Sequence, residues 1–304
     1  MYKRDMIVFA PPDIPLQVEP ENIFPLEKYR LVRERLLTDG SLKDDEVLAA
    51  PLLDMRLAQY AHAESYCHDV VTGNLSPVSQ RRIGFPWSEN LVLRARYASG
   101  ATLAAAYTAL KRSVSGGLAG GTHHAHSDFG FGYCVFNDLA ITAKVLVARG
   151  AARRVAVIDL DFHPGDGTAQ ICRGDSSIYT LSIHGRSILA RDPVGSTVDV
   201  ELSWGREDEE YLDILAAHLP GVSAFSPELA MYQAGSDVLA GDKLGKFRLS
   251  PEGMRKRDEL VFRFCRDRSI PVAFTLGGGY NNDTGLMVEA HASTVRTAKK
   301  VFEG

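Results

Sequence analysis

The chain has 304 residues, with 34 basic and 38 acidic side chains and a formal net charge of −4; 45% of residues are hydrophobic and 24% charged. That is an ordinary globular composition, long enough to bury a sizeable core without disulfide or metal staples. The slightly acidic balance supplies no basic face for nucleic acid, and no apolar run is long enough to span a bilayer, so neither partner is expected.

Pro11, Pro12, Pro15, Pro20 and Pro25 crowd the N-terminal stretch, which reads as one short strand followed by a segment wrapping the surface. Helical spacing of apolar residues runs from Leu26 to Leu37 and stops at Gly40. Residues 74–90 read as loop, because Pro77, Gly84 and Pro86 break any period. An Ala-rich helix then fills Leu91 to Lys111. From residue 115 strands and helices alternate. VAVIDLDF after Arg154, SIYTLSI (177–183), ELAMYQAG (228–235) and IPVAFTLGGG (270–279) are buried-strand candidates. Asp138–Ala148, Glu207–Leu219, Pro251–Arg266 and Glu289–Phe302 read as helices. This alternation predicts an α/β protein with a central, mainly parallel sheet flanked by helices on both faces. No repeat or low-complexity linker divides the chain, so one domain over 1–304 is expected.

Cys67, Cys134, Cys172 and Cys265 are scattered and form no CxxC pair, which argues against a disulfide framework and a thiolate metal site. Met1 to Pro12 lacks the basic and apolar regions of a secretory signal, so a cytoplasmic setting is expected.

Ligand sites of parallel sheets lie beyond the carboxyl ends of the strands. Four segments place unusual chemistry there: GGTHHAH (120–126), DLDFHPGDG (159–167), AGSDVLAGD (234–242) and LGGGY (276–280). Strand alternation puts Asp159, Asp161 and His163 on one side, away from Leu160 and Phe162. Ionisable groups converging at a buried strand end are costly unless paired or holding a metal, and two carboxylates with an imidazole suit a zinc-like divalent ion. A lone Asp and His would read as a solvated ion pair; D-x-D-x-H followed by Pro164, Gly165, Asp166 and Gly167 favours the metal. His123-His124 alone would be as readily surface polar residues. Beside a metal site they become candidate bases, with Asp159 and Asp166 left to orient the two rings. Asp237 offers a third ligand or an N-cap. Tyr280 after three glycines stands over a ligand or packs as an ordinary aromatic. No phosphate-loop pattern surrounds the glycines, so no nucleotide site is expected. His62, His68, His184, His218 and His291 read as structural, with a reservation for His184 at a strand end.

Taken together, GGTHHA (120–125), FGYCVFND (131–138), DLDFHPGDG (159–167), YQAGSDVLAGDKLG (232–245) and LGGGY (276–280) resemble, in order, the motifs of the zinc-dependent histone deacetylase family, within the arginase-deacetylase fold. Upstream, FPLEKYRLVRERL and RRIGFPWSENLVLR look like the small prokaryotic branch close to class IV deacetylases. The resemblance implies Asp161, His163 and Asp237 as zinc ligands, ferrous iron being the other candidate metal. It implies His124 as general base and then acid, backed by Asp166, and His123 with Asp159 as an electrostatic partner. Tyr280 would hydrogen-bond the substrate carbonyl, and Gly132, Tyr133 and Gly278 would line the acyl-lysine tunnel. Asp159, Asp161, His163 and Ser182 would frame a structural potassium ion, the first three partly through backbone carbonyls.

Two departures stand out. Pro164 replaces the family's second His after the metal-binding one, at a position that is not a ligand. No aromatic lies in residues 185–195 to form the second tunnel wall, which leaves Ile188 or Leu189. The expected reaction is hydrolysis of an acylated side-chain amine in a protein or peptide, most simply N-acetyllysine. An acylpolyamine or other small acylated amine is the nearest rival, longer acyl chains are a variant, and a catalytically idle acyl-lysine binding module is the non-enzymatic alternative. The D-x-H-x-D pattern of a two-manganese arginase site is absent.

Overall fold

The computed structural model describes residues 5–186 and 195–304. Among them, strands β1 (Ile7–Ala10), β2 (Val47–Ala49), β3 (Val114–Gly117), β4 (Val155–Asp159), β5 (Ile178–Gly185), β6 (Val198–Leu202), β7 (Leu229–Gln233) and β8 (Val272–Thr275) form one eight-stranded sheet in the order β2-β1-β3-β8-β7-β4-β5-β6. Every pairing is parallel. All strands therefore end on one edge, where their following loops meet.

Strand alternation divides the core in two. On β4, Ala156 and Ile158 face one cluster while Val155 and Val157 face the other; on β7, Ala230 and Tyr232 oppose Leu229 and Met231. The first cluster is closed by helices α1 (Lys28–Thr38), α8 (Asp208–Phe225), α9 (Pro251–Asp267) and α10 (Thr284–Glu303). The second is closed by α2 (Met55–Ala58), α3 (Glu64–Thr72), the long α5 (Glu89–Arg112), α6 (Asp138–Ala148) and α7 (Asp166–Cys172). These strands read as unbroken apolar runs because both faces are covered.

The segment 74–90 is not all loop. Pro77–Ile83 forms helix α4: Ser76 caps it, its Oγ accepting the Ser79 N–H at 3.1 Å, Pro77 occupies the first turn where no donor is needed, and Gly84 at φ 82° ends it. The strand β3, VSGG, was not expected from its pattern. Gly116 lies opposite Phe274, and a Cβ there would stand 2.2 Å from the Phe274 ring, so glycine lets the aromatic cover the strand. The run after Arg154 also ends earlier than alternation implied: β4 stops at Asp159, so Asp161 and His163 sit in the loop beyond it. No described helix is long and apolar enough to cross a membrane.

Candidate active site

The histidine loop follows β3 and is held by the start of α6. Asp138 is fully buried; its Oδ2 accepts the Gly121 N–H (2.9 Å) and the Thr102 hydroxyl (2.5 Å), while Oδ1 accepts the Thr122 N–H and hydroxyl (both 2.7 Å). Asn137 Nδ2 donates to the carbonyls of His123 (3.2 Å) and Ala125 (3.0 Å). His62 supports this clamp, its Nε2 accepting the Asn137 N–H at 2.9 Å.

The two imidazoles so positioned have centroids 4.2 Å apart. His123 Nδ1 donates to Asp159 Oδ2 (2.8 Å) and His124 Nδ1 to Asp166 Oδ1 (2.7 Å). A carboxylate only accepts, so each pair places a proton on Nδ1. Their charge states diverge. Burial opposes a charged His123, but Asp159 and Asp161 outweigh it and push its pKa up to about 9. Burial and then the neighbouring His123 pull His124 down to about 4, against Asp166.

Below the imidazoles, Asp161 and His163 from the β4 loop meet Asp237 from the loop after β7, with one donor atom of each within 4.8 Å of the others. His163 Nδ1 lies 3.1 Å from Asp161 Oδ1 and 2.9 Å from Asp237 Oδ2. Asp237 Oδ1 accepts the Phe162 N–H (2.9 Å); Asp161 Oδ2 accepts Gly278 N–H (2.9 Å) and Gln233 Nε2 (3.3 Å). At Gly278 a Cβ would stand 2.5 Å from Asp161 Oδ2 and 2.7 Å from Asp237 Oδ2, so only glycine lets the backbone close over both carboxylates. Burial and the adjacent Asp161 push the Asp237 carboxyl up to about 7. A cation among these three donors would relieve that repulsion, so the cluster fits a divalent ion.

Tyr280 completes the pocket. Its N–H is anchored on Asp242 Oδ2 (2.7 Å), and its ring lies 6.2 Å from Phe24 and 6.0 Å from Tyr133. Burial, reinforced by Asp161, holds its phenol well above the usual range, so it remains a donor. Gly132, Tyr133 and Gly278 line the same cavity, and Tyr133 holds a positive φ of 66°. Ser182 lies in register with Asp159 and is buried, its Oγ accepting the Gly165 N–H at 3.5 Å. Ile188 and Leu189, candidates for the second tunnel wall, lie outside the described residues.

His184 bonds the Gly185 carbonyl (3.0 Å) and lies 3.6 Å from Asp199; His291 bonds Ser236 (3.0 Å) and His218 the Ile214 carbonyl (2.8 Å), and none of the three lines the pocket. Sequence reasoning did not single out Asn137, Asp138, Gln233, Asp242 or Lys28. Lys28 is buried, donates to the Gly277 carbonyl at 2.9 Å and so holds the glycine segment before Tyr280. The first two residues read as an ordinary helix start, and Lys28 as one charged position on an amphipathic helix.

The HD domain of HDA15, a solved structure, superposes with a TM-score of 0.77 at 23% identity, covering 98% of this chain and 91% of that one. The protein therefore has the arginase-deacetylase fold. A family model described as histone deacetylase domain matches residues 22–295. An uncharacterized protein of Picosynechococcus sp. is 38% identical over 96% of this chain and 97% of its own length. Histone deacetylase 2 of Arabidopsis thaliana is 30% identical (89% and 73%), as is histone deacetylase 8 of Xenopus tropicalis (84% and 71%). The chain belongs to the histone deacetylase family, and that membership supports a hydrolase of the deacetylase type.

Proposed function

We propose that the protein hydrolyses the side-chain amide of acylated lysine, acetyl-lysine in the simplest case. The supporting observation is a pocket lined by His123, His124, Asp161, His163 and Tyr280, with Asp159, Asp166 and Asp237 bonded to the three imidazoles. Asp161, His163 and Asp237 would hold zinc, or ferrous iron, with positions left open for water and substrate. When bound, the ion supplies Lewis-acid polarisation of the acyl carbonyl and of the attacking water.

The chain's own residues do the rest. Gly132, Tyr133 and Gly278 flank the lysine stem and orient the amide. His124, neutral at physiological pH, accepts the water proton on Nε2 as the carbonyl carbon is attacked, while Asp166 stabilises the charge gained. Tyr280 donates its hydrogen bond to the carbonyl oxygen as negative charge develops there. His123, its Nδ1–H fixed on Asp159, adds an oriented dipole beside His124. His124 then returns its proton to the leaving amine, releasing lysine and a carboxylate. A structural potassium ion framed by Asp159, Asp161, His163 and Ser182 belongs to the same reading.

One feature favours a longer acyl chain as a second reading. The cavity, about 390 Å³, continues from the catalytic groups between Leu26, Leu91, Ala95, Ala98 and Leu118, leaving apolar room beyond an acetyl group. Turnover of matched acetyl-, octanoyl- and myristoyl-lysine peptides, with and without a chelator, tests both. Chelator-sensitive release of any acid supports hydrolysis and its ranking gives the chain length. No turnover by protein carrying one metal per chain would refute the reaction and leave an acyl-lysine binding module.

A further inference from the structure

The outer lip of the pocket is built differently from its interior. Arg186 follows the last residue of β5, and its carbonyl accepts the Trp204 indole N–H at 3.1 Å, which fixes an indole that is 51% exposed. Gly205 N–H donates to the Lys246 carbonyl (2.8 Å) and Arg248 N–H to the Arg206 carbonyl (2.7 Å), so segments 204–206 and 246–248 run paired. That pairing sets Trp204 and Lys246 side by side, and both line the pocket with Arg186.

The charged side chains lining the pocket there are cationic. Lys246 Nζ donates to the Lys243 carbonyl (2.7 Å), and among the described residues no carboxylate lies within ion-pair distance of it. Arg186 has Glu201 3.8 Å away, with both side chains more than half exposed, a loose pair in water that leaves the guanidinium open to another anion. The pocket's described lining contains two carboxylates. Asp161 belongs to the donor cluster, and Asp13, more than half exposed, lies 3.5 Å from Arg30, which also bonds Glu27 and Glu34. At Arg186, Trp204 and Lys246 the lip thus presents two cations and an indole, and among these three lining residues there is no carboxylate.

We propose that this lip selects acyl-lysine flanked by acidic residues and turns away acylated polyamines. The inference rests on the hydrolytic reading above and names its substrate class. An acyl-lysine threaded toward Tyr280 leaves its backbone at the lip, where a neighbouring Asp or Glu meets Arg186 and Lys246 and an apolar neighbour covers Trp204. A polyamine instead carries its remaining ammonium groups past those two cations, and like charges brought together suppress the wrong partner. Because the lip groups are exposed, the selection acts largely on encounter and weakens with salt.

The test compares three acetyl-lysine peptides, alike except for Glu, Ala or Lys flanking the acetyl-lysine, with N-acetylspermidine, using metal-loaded full-length protein and the double variant Arg186→Glu/Lys246→Glu. The expected order of kcat/KM is Glu over Ala over Lys, with a spread of about tenfold at low salt that shrinks at high salt. Acetylspermidine should trail the Lys peptide. The double variant should reverse the order, with the Ala peptide remaining between the Lys and Glu peptides. Equal rates across peptides, an unchanged order in the double variant, or acetylspermidine overtaking the Glu peptide would overturn the inference. Fluorescence anisotropy of the labelled peptides separates the two levels of the argument. Tighter binding of the Glu peptide with no turnover of any substrate refutes hydrolysis and leaves the lip's selectivity standing; no turnover and no binding difference refutes both.

Discussion

The Asp138 clamp makes a quantitative prediction. Asp138→Asn keeps the size of the side chain but replaces one carboxylate oxygen with an NH2 group. Each oxygen presently accepts one backbone N–H, from Gly121 or Thr122, and one threonine hydroxyl. The hydroxyls have alternatives, since Thr122 Oγ1 also reaches the Phe136 carbonyl (2.5 Å) and Thr102 Oγ1 the Ala98 carbonyl (3.3 Å). The backbone donors do not rotate. Whichever way the amide turns, one buried N–H faces another donor. A hydrogen bond to a charged group is worth about 1.5–3 kcal/mol, and a buried donor left unpaired costs about 1–3 kcal/mol, so the substitution should destabilise by roughly 3–5 kcal/mol. For a chain of this size each kcal/mol lowers Tm by roughly 2 °C, giving a fall of roughly 6–10 °C. Urea denaturation should show a lower midpoint with an unchanged slope. The histidines hang from the same loop, so turnover should fall by about 100-fold even where the variant is folded. A midpoint within error of the parent protein would refute the clamp.

Other outcomes follow from the same geometry. Tyr280→Phe leaves the ring packed against Phe24 and Tyr133 and the N–H on Asp242, so metal content and Tm should hold while kcat falls about 10²–10³-fold; an unchanged kcat would remove the phenol from the reaction. Asp237→Ala deletes one of three donors, and metal analysis after dialysis should show loss of the bound ion with a folded protein. His62 is buried neutral with its pKa lowered to about 4, chiefly by burial. Its unfolded form binds a proton below about 6.5, so the native state loses stability as pH falls from there toward 4, by about 3 kcal/mol in all. Urea midpoints of the parent and His62→Gln between pH 7 and pH 4 should converge as the pH drops; parallel curves would refute that assignment.

The grouping of the candidate site residues was legible in the sequence because they sit where buried strands end. Asp159, Asp161, His163 and Asp237 interrupt or close apolar runs, and charged groups at such places demand a partner. The same logic left Asp159 and Asp166 to orient the two imidazoles; which ring each carboxylate holds came from the family resemblance, and the hydrogen bonds match it. What escaped are the residues that brace those groups. Gln233 reaches the Gly121 carbonyl across 112 positions, and Lys28 reaches Gly277 across 249, separations at which no local pattern carries a signal. Strand β3 was hidden for another reason: VSGG has neither alternation nor bulk, and its burial is provided by Phe274 from the adjacent strand. Helix α4 was obscured by Pro77, a helix breaker in the interior but well suited to a first turn.

The position of β8 in the sheet has a consequence for biogenesis. It is the last strand in chain order, yet it lies between β3 and β7 near the middle of the sheet. Until it is inserted, the segment bearing His123 and His124 and the segment bearing Asp237 belong to two half-sheets with no shared edge. A ribosome that has released four fifths of the polypeptide has made both imidazoles and all three carboxylate–imidazole donors, but has not yet joined them. Insertion of β8 seals the two halves and in the same event delivers Gly278 and Tyr280, so competence arrives abruptly at the end of synthesis rather than accumulating with length.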